Sequence, residues 1–351
     1  VERYSELGVD CRQGEARMVS PWEVEIRNGD NIETLTARSI IIATGARPFV
    51  PPIPGIEDMD ILTSDNLWEL QDQPKRLVVL GGGPIGCELA QTFARLGSQV
   101  MQVEMLPRIM PREDDDAAAL VTASLRDNGV DVLTEHKAVR FAREGDDKVL
   151  YVEHNGEEKR LVFDAVLVAV GRRANTDGLG LDELNLPTNG NGTVTVNERL
   201  QSRYPNIYAC GDVAGPYQFT HTAAHQAWYA SVNALFGSLK SFAVDYRVIP
   251  WCTFTDPEVA RVGLNEQEAE EQGVDYEVTR YGIDDLDRAI ADSNDHGFVK
   301  VITAKGSDKI LGVTIVGAGA GDLIAEYVLA MKHGLGPVSY THLTLPTKRI
   351  V

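Results

Sequence analysis

Cysteine is scarce: Cys11, Cys87, Cys210 and Cys252 are the four in 351 residues, and they stand far apart. No CxxC pair and no metal-ligand spacing is present, which argues against a disulfide framework and against a structural zinc site. It also favours a cytoplasmic setting. Positive charge is short as well. The net charge of −19 makes nucleic acid and anionic membrane poor partners, since each would be repelled; the acidity reads as a device for solubility. Long apolar runs are missing too. Stretches such as Ala165 to Val170 are far too short to cross a bilayer. The first residues hold no charged region followed by an apolar one, so no secretory signal is expected.

What is there is an apolar fraction of 43% with 32 glycines, the composition of a soluble globular enzyme. A chain of 351 residues suggests two or three domains.

Two stretches resemble each other. Val24 to Gly29 is followed by Ser39-Ile-Ile-Ile-Ala43-Thr44-Gly45-Ala46-Arg47; Tyr151 to Gly156 is followed by Ala165-Val-Leu-Val-Ala169-Val170-Gly171-Arg172-Arg173. Each reads as an alternating strand, an Asn-Gly turn suited to a type I′ hairpin, and an apolar strand ending in glycine. The unbroken apolar strands predict parallel pairing with both faces covered. The economical reading is two similar dinucleotide domains, the first of which lacks its amino-terminal βαβ unit.

The second domain carries the clearest motif. Arg76 to Leu80 is an apolar strand running into Gly81-Gly82-Gly83-Pro84-Ile85-Gly86. A helix is predicted next, with Ile85, Leu89 and Phe93 on one face and Gly97 placed to end it. Gln99 to Val103 is a second strand and ends in Glu104. This is G-x-G-x-x-G in its strand–turn–helix–strand context. Gly81 permits the tight turn, Gly83 lets the backbone approach a pyrophosphate, and Gly86 lets helix and strand pack closely. The helix amino terminus offers free N–H groups and partial positive charge to the phosphates. Glu104 can accept hydrogen bonds from a ribose diol and would repel a 2′-phosphate, which favours NAD over NADP. Glu88 lies in the first turns of the helix, where it is either a nucleotide ligand or a charge complementing the dipole.

The motifs then fall in a family order. Ala43-Thr44-Gly45 comes first, then the Gly81–Gly86 turn, then Val170-Gly171-Arg172-Arg173. Tyr208-Ala209-Cys210-Gly211-Asp212 and Thr253-Phe254-Thr255-Asp256-Pro257-Glu258-Val259 follow. Over Val1 to about Gly336 the chain resembles the class I pyridine nucleotide–disulfide oxidoreductases, in the branch of dihydrolipoyl dehydrogenase and mercuric reductase. The resemblance implies an α/β fold: two Rossmann-like FAD/NAD(P)-binding domains, the first truncated and discontinuous, plus an α+β dimerisation domain. Residues 1–73 with 176–245 would form the FAD domain, 74–175 the NAD domain, 246–336 the dimerisation domain, and 337–351 a non-native tail.

It implies FAD and NAD as cofactors and a homodimer. For FAD it points to Gly14 near the adenosine, and to Thr44, Gly45 and Ala46 against the cofactor. Asp212 would meet the ribityl or phosphate side, with Gln218, Phe219, Thr220 and His221 beneath the isoalloxazine. For NAD it points to Gly81, Gly82, Gly83, Pro84, Ile85, Gly86, Cys87, Glu88 and Glu104, with Ala138, and with Gly171 near the nicotinamide. Asp212 also reads as a turn or N-cap residue ahead of a helix near His221. His221 and His225 read as a helix-face pair without a third zinc ligand, and Cys210 and Cys252 as small buried hydrophobes.

The implied activity is electron transfer between NAD(H) and a disulfide or dithiol through flavin, most like dihydrolipoyl dehydrogenase. Asp287-Arg288-Ala289 and Gly297-Phe298-Val299-Lys300 lean toward mercuric reductase and metal-ion reduction. A cysteine-less NADH oxidase or transhydrogenase and a non-catalytic NAD-binding module are the other readings. The family's FAD fingerprint and C-x4-C redox pair are expected ahead of Val1, and its His–Glu pair beyond Gly336. Catalytic residues are therefore not assigned within the chain, which is expected to bind flavin weakly and to be inactive alone. Pro337 to Val351, with Lys348 and Arg349 but no acid, looks like a translated library adapter, and His342 is given no catalytic role.

Overall fold

The computed structural model describes residues 1–337. His342 and nearly all of the expected tail lie outside the described residues. The chain divides into two compact units: residues 1–47 with 172–245, and residues 48–171 with those from 246 onward.

The second unit is built on a five-stranded parallel sheet. Its order is Ile61–Leu62, Ala165–Val168, Arg76–Leu80, Gln99–Val103, Val130–Leu133. Leu77, Val78 and Val79 are fully buried. Their alternation feeds two cores. Leu77 and Val79 pack with Val100 and Leu125 on one face, and Val78 and Leu80 with Val103 and Phe163 on the other. Leu80 lies in register with both Val103 and Val168. The three strands therefore end together, and Gly81, Glu104 and Ala169 follow at one edge, where parallel sheets bind ligands. The helices Pro84–Arg95 and Asp115–Asp127 make the crossovers. Gly97 sits just past the first with φ +102°, as expected of its stop.

The face that this first helix buries differs from the predicted one. Gly86, Cys87, Ala90 and Gln91 are buried, while Leu89 and Phe93 pack at the margin. Small residues take the centre because the helix lies very close to the sheet.

Two three-stranded antiparallel sheets carry the repeated hairpins. One is Glu15–Ser20, Glu23–Asn28, Asn31–Thr36; the other is Lys137–Glu144, Asp147–His154, Glu157–Phe163. In the second, Asn155 and Gly156 both have positive φ between His154 and Glu157, as a type I′ turn requires. The first differs. Asn28 pairs with Asn31, so the loop is Gly29-Asp30, and only Gly29 has positive φ. Glycine at the first central position is the II′ arrangement, one residue out of step with the other copy. The strands that follow also differ. Val166, Leu167 and Val168 are buried, whereas Ile41 is 37% exposed in Ile40–Ile42, which pairs in parallel with Ile207–Ala209 in a two-stranded sheet.

The domain limits expected at 73 and 176 shift to 47 and 172. Ile61–Leu62 forms the edge strand of the nucleotide sheet, and Ile56 and Met59 join its core. The five-stranded antiparallel sheet Pro250–Thr253, Glu258–Gly263, Ile310–Gly317, Phe298–Ala304, Tyr276–Gly282, with the helix Ala320–His333, packs within this same unit. Val259, Phe298 and Val316 share one core with Leu77 and Val79.

Buried charge fastens the two sheets. Lys300 is 2% exposed, and its Nζ donates to Asp114, Asp116 and Glu266 at 2.8–2.9 Å. These bonds outweigh the desolvation that opposes them, so the ammonium is held well above the usual lysine range. Arg261, 1% exposed, lies 2.8 Å from Glu268 and 3.2 Å from Glu113, with its guanidinium 4.3 Å from the Trp251 ring centre. Burial pushes the Glu113 carboxyl up, against the pull of Arg261.

Lys300→Met is expected to destabilise this unit by about 3 kcal/mol, because Asp114, Asp116 and Glu266 then lose their shared cation and Arg280, 3.5 Å from Asp116, is half-exposed. A raised lysine pKa stabilises at every pH below the unfolded value, so the loss should be constant across neutral pH and fade only in strong alkali. Thermal melting would test this; a shift of under about 1 °C contradicts the role.

Candidate functional site

The site grows from one steric contact. A Cβ on Gly86 would lie 2.2 Å from the carbonyl oxygen of Gly81, and a Cβ on Gly81 would lie 2.4 Å from that of Ala169. Gly81 also has φ +108°. Both positions therefore demand glycine before any ligand arrives. Gly83 is different: its φ is ordinary, and a Cβ there would meet nothing within 4 Å. The space in front of Gly83 is what a ligand would use.

Pro84 is the first helical residue and has no N–H. The N–H groups of Gly83, Ile85 and Gly86 take no backbone acceptor among the described residues. That leaves a set of donors at a helix start, the arrangement that holds a phosphate.

Not every expected residue lies in this set. The Cys87 N–H donates to Gly83 O at 3.0 Å, and its thiol is fully buried 3.4 Å from Gly82 O. Cys87 has neither group free for a nucleotide, and its expected ligand role is corrected. Its thiol is pushed up to about 12 by burial. Gly82 faces inward too: its N–H donates to Glu104 Oε2 at 2.7 Å, and its carbonyl accepts from Met110 at 2.6 Å.

Glu104 is 8% exposed. Its other oxygen accepts from the Leu106 N–H at 2.8 Å. The carboxylate that was expected on a ribose thus already holds two backbone donors, with lone pairs to spare for a hydroxyl. Glu88 Oε1 accepts from the Phe254 N–H at 2.8 Å, and burial raises its pKa. It joins the nucleotide helix to the antiparallel sheet. Ala138 lies in the strand Lys137–Glu144, and two residues before it His136 donates its N–H to Glu104 O. Gly171 has φ +135°, with open space where a Cβ would sit.

In the other unit, Gly45 has φ +68° with no neighbour that excludes a side chain. Asn175 laces its turn together. The Asn175 N–H donates to Gly45 O, its Nδ2 donates to Thr44 O, and Thr44 Oγ1 donates to Asn175 O at 2.7 Å. Arg172 Nη2 donates to Ala46 O, and Arg172 Nε lies 3.5 Å from Asp212 Oδ2. Asp212 sits in a short 3-10 turn, while the following helix starts at Thr220 with Phe219 as its cap, so Asp212 is not the cap. Gln226 shapes the Asp212 loop: its Oε1 accepts from Gly211 and its Nε2 donates to Gly215 O. Phe219 stacks between Tyr217 and His221, beside Gln218 and Thr220, and His225 packs edge-on to Tyr229.

Gly14 has φ +149°, and a Cβ there would lie 2.6 Å from Arg27 O, so the hairpin requires glycine at this position whether or not a cofactor lies near it. Asn175 and Gln226 were not foreseen, because amides in loops and helices carry no spacing signal.

A family model described as pyridine nucleotide-disulphide oxidoreductase matches residues 3–227, and one for that family's dimerisation domain matches residues 249–345. The chain belongs to the pyridine nucleotide-disulphide oxidoreductase family. It is 36% identical to a mercuric reductase of Staphylococcus aureus over 335 residues, covering 95% of this chain and 60% of that protein. It is 37% identical to a dihydrolipoyl dehydrogenase of Thermus scotoductus over 346 residues, covering 96% and 73%. The structure of the HOCl-induced flavoprotein disulfide reductase RclA from Escherichia coli superposes with a TM-score of 0.85 at 29% identity, over 97% of this chain and 77% of that one. Members of this family share an α/β fold and use FAD and NAD(P).

Gly83→Val should leave the melting temperature unchanged and abolish NADH binding, because the valine occupies only the ligand's space. Gly86→Ala should instead lower the melting temperature by several degrees through its clash with Gly81. Equal effects of the two on melting would contradict this division.

Cys252 is likewise pushed up to about 12 by burial and by Glu258. At about pH 8 only some one in ten thousand of such thiols is ionised. Iodoacetamide should therefore label the partly exposed Cys11 in the native protein, and Cys87 and Cys252 only after denaturation. Mass spectrometry of labelled peptides checks this; rapid native labelling of Cys87 contradicts it.

Proposed function

We propose that the chain carries the nucleotide-binding machinery of an NAD-dependent flavoprotein that moves electrons between NAD(H) and a disulfide or dithiol. The observation that carries the reading is that the N–H groups of Gly83, Ile85 and Gly86 take no backbone acceptor at a helix start, with open space in front of Gly83. Such a site binds the pyrophosphate of a dinucleotide, and Glu104 at the neighbouring strand end supplies acceptors for a ribose hydroxyl.

FAD, when bound, supplies a group that accepts a hydride and passes electrons on singly or in pairs. Thr44, Gly45 and Ala46 would lie along it, and Asp212, steadied by Arg172 and Gln226, would take its polyol hydroxyls. A second reading, reduction of a metal ion, is favoured by the identity to mercuric reductases. The match to the dimerisation domain supports a homodimer. Among the described residues no helix is long and apolar enough to cross a membrane. The sparse, widely spaced cysteines support a cytoplasmic setting.

A titration followed by nicotinamide fluorescence tests the nucleotide half. NADH should bind at least tenfold more tightly than NADPH, since a 2′-phosphate would meet the buried Glu104 carboxylate. Equal affinities, or a preference for NADPH, would overturn the assignment. Addition of NADH to the FAD-loaded full-length protein should bleach the oxidised flavin band; an unchanged spectrum contradicts the electron-transfer reading. Dihydrolipoamide and mercuric ion as alternative substrates then separate the two activities.

A further inference from the structure

The strand Gln99–Val103 is buried, yet Gln102 sits within it at 0% exposure. Its Nε2 donates to Gly81 O at 3.1 Å and lies 3.5 Å from Cys87 Sγ. Its Oε1 is buried with no hydrogen-bond partner. A buried amide with an orphaned carbonyl destabilises a fold relative to an apolar residue of the same size. Stability alone does not account for it.

The bond that Gln102 makes has a second half. Gly81 O and the Gly82 N–H belong to the same peptide group. Gln102 holds the oxygen, and Glu104, two residues on and just past the strand's end, holds the N–H at 2.7 Å. Alternate residues of a strand point to one face, so the two side chains grip one peptide plane at both ends. That plane joins two glycines, the pair of residues least able to fix it by themselves. Were it to turn over, the Gly81 carbonyl would face the Glu104 carboxylate, and the course of the chain into Gly83 and the helix start would change.

We propose that Gln102 is a positioning residue for nucleotide binding: it locks the Gly81–Gly82 peptide so that the N–H groups of Gly83, Ile85 and Gly86 converge on the ligand's phosphates. The inference rests on the reading of this turn as the pyrophosphate site. Gln102 itself touches no ligand. It acts through Gly81, while Glu104 fixes the other end and keeps lone pairs for the ribose. The amide is needed because only a neutral donor suits the Gly81 carbonyl in so dry a place.

Gln102→Met keeps the length of the side chain and removes the donor. In the full chain without nucleotide, its melting temperature should stay within a few degrees of wild type, while amide hydrogen exchange across residues 81–86 speeds up. Its NADH dissociation constant should rise about fivefold, the worth of one net hydrogen bond. Gln102→Glu gives a second readout. At about pH 6 a buried carboxylic acid can still donate to Gly81 O, and at about pH 9 the carboxylate repels it. NADH affinity in this variant should therefore fall with rising pH while wild type stays flat. Wild-type exchange and affinity in a folded Gln102→Met, or a flat profile in Gln102→Glu, overturn the proposal. Failure of the wild-type chain to bind NADH would instead count against the nucleotide reading, and the nucleotide-free exchange would still decide whether Gln102 holds the turn.

Discussion

The arrangement of the nucleotide unit depends on one close approach, that of the helix Pro84–Arg95 to the end of the strand Arg76–Leu80. The missing Cβ of Gly86 allows it, since any side chain there would overlap the Gly81 carbonyl. Once the helix is that close, its buried face must be small, and Cys87 and Ala90 fill it. The same approach brings the helix start over the carboxyl edge of the sheet, so the free N–H groups and the partial positive charge point where Glu104 and Ala169 also emerge. Packing and binding follow from a single distance. The glycines at 81 and 86 serve the packing, and Gly83 leaves open space where the proposed ligand would lie.

Charge is distributed on a related plan. The chain carries 52 acidic side chains against 33 Lys and Arg, and two of those cations are withdrawn from the surface. Arg261 and Lys300 are buried among carboxylates and fasten the antiparallel sheet to the helix Asp115–Asp127 and the segment before it. Neither would be stable at such depth without partners, and the partners would repel one another without them. The pairing makes the contact specific. A sliding of one sheet on the other would strand several charges together, so the nucleotide site and the antiparallel sheet hold one fixed relation within this unit. Glu88 and Gln91 add to it by taking the backbone N–H groups of Phe254 and Asp256.

Family membership was legible in the order of short motifs, and so were the strand–turn–helix–strand unit and the third group of strands. Those features are local: glycine where φ is positive, alternation or unbroken apolarity in strands, a stop at Gly97. Errors arose where one local pattern served two ends. Cys87 lay inside the motif and points away from its site. Asn28-Gly29 matched Asn155-Gly156 in letters, but the pairing of Asn28 with Asn31 moved the turn by one residue.

The sequence by itself determined the nucleotide turn, the kind of fold around it and the family, because backbone freedom at glycine and strand periodicity are properties of neighbouring residues. The tertiary structure alone decided what Gln102, Glu104, Glu88, Lys300 and Arg261 do. Each acts on a group far along the chain, and a hydrogen bond or ion pair between distant residues leaves no mark on the spacing of either. It alone also decided where the units divide, since residues 48–73 join the nucleotide sheet through an edge strand of two residues, too short to show a period.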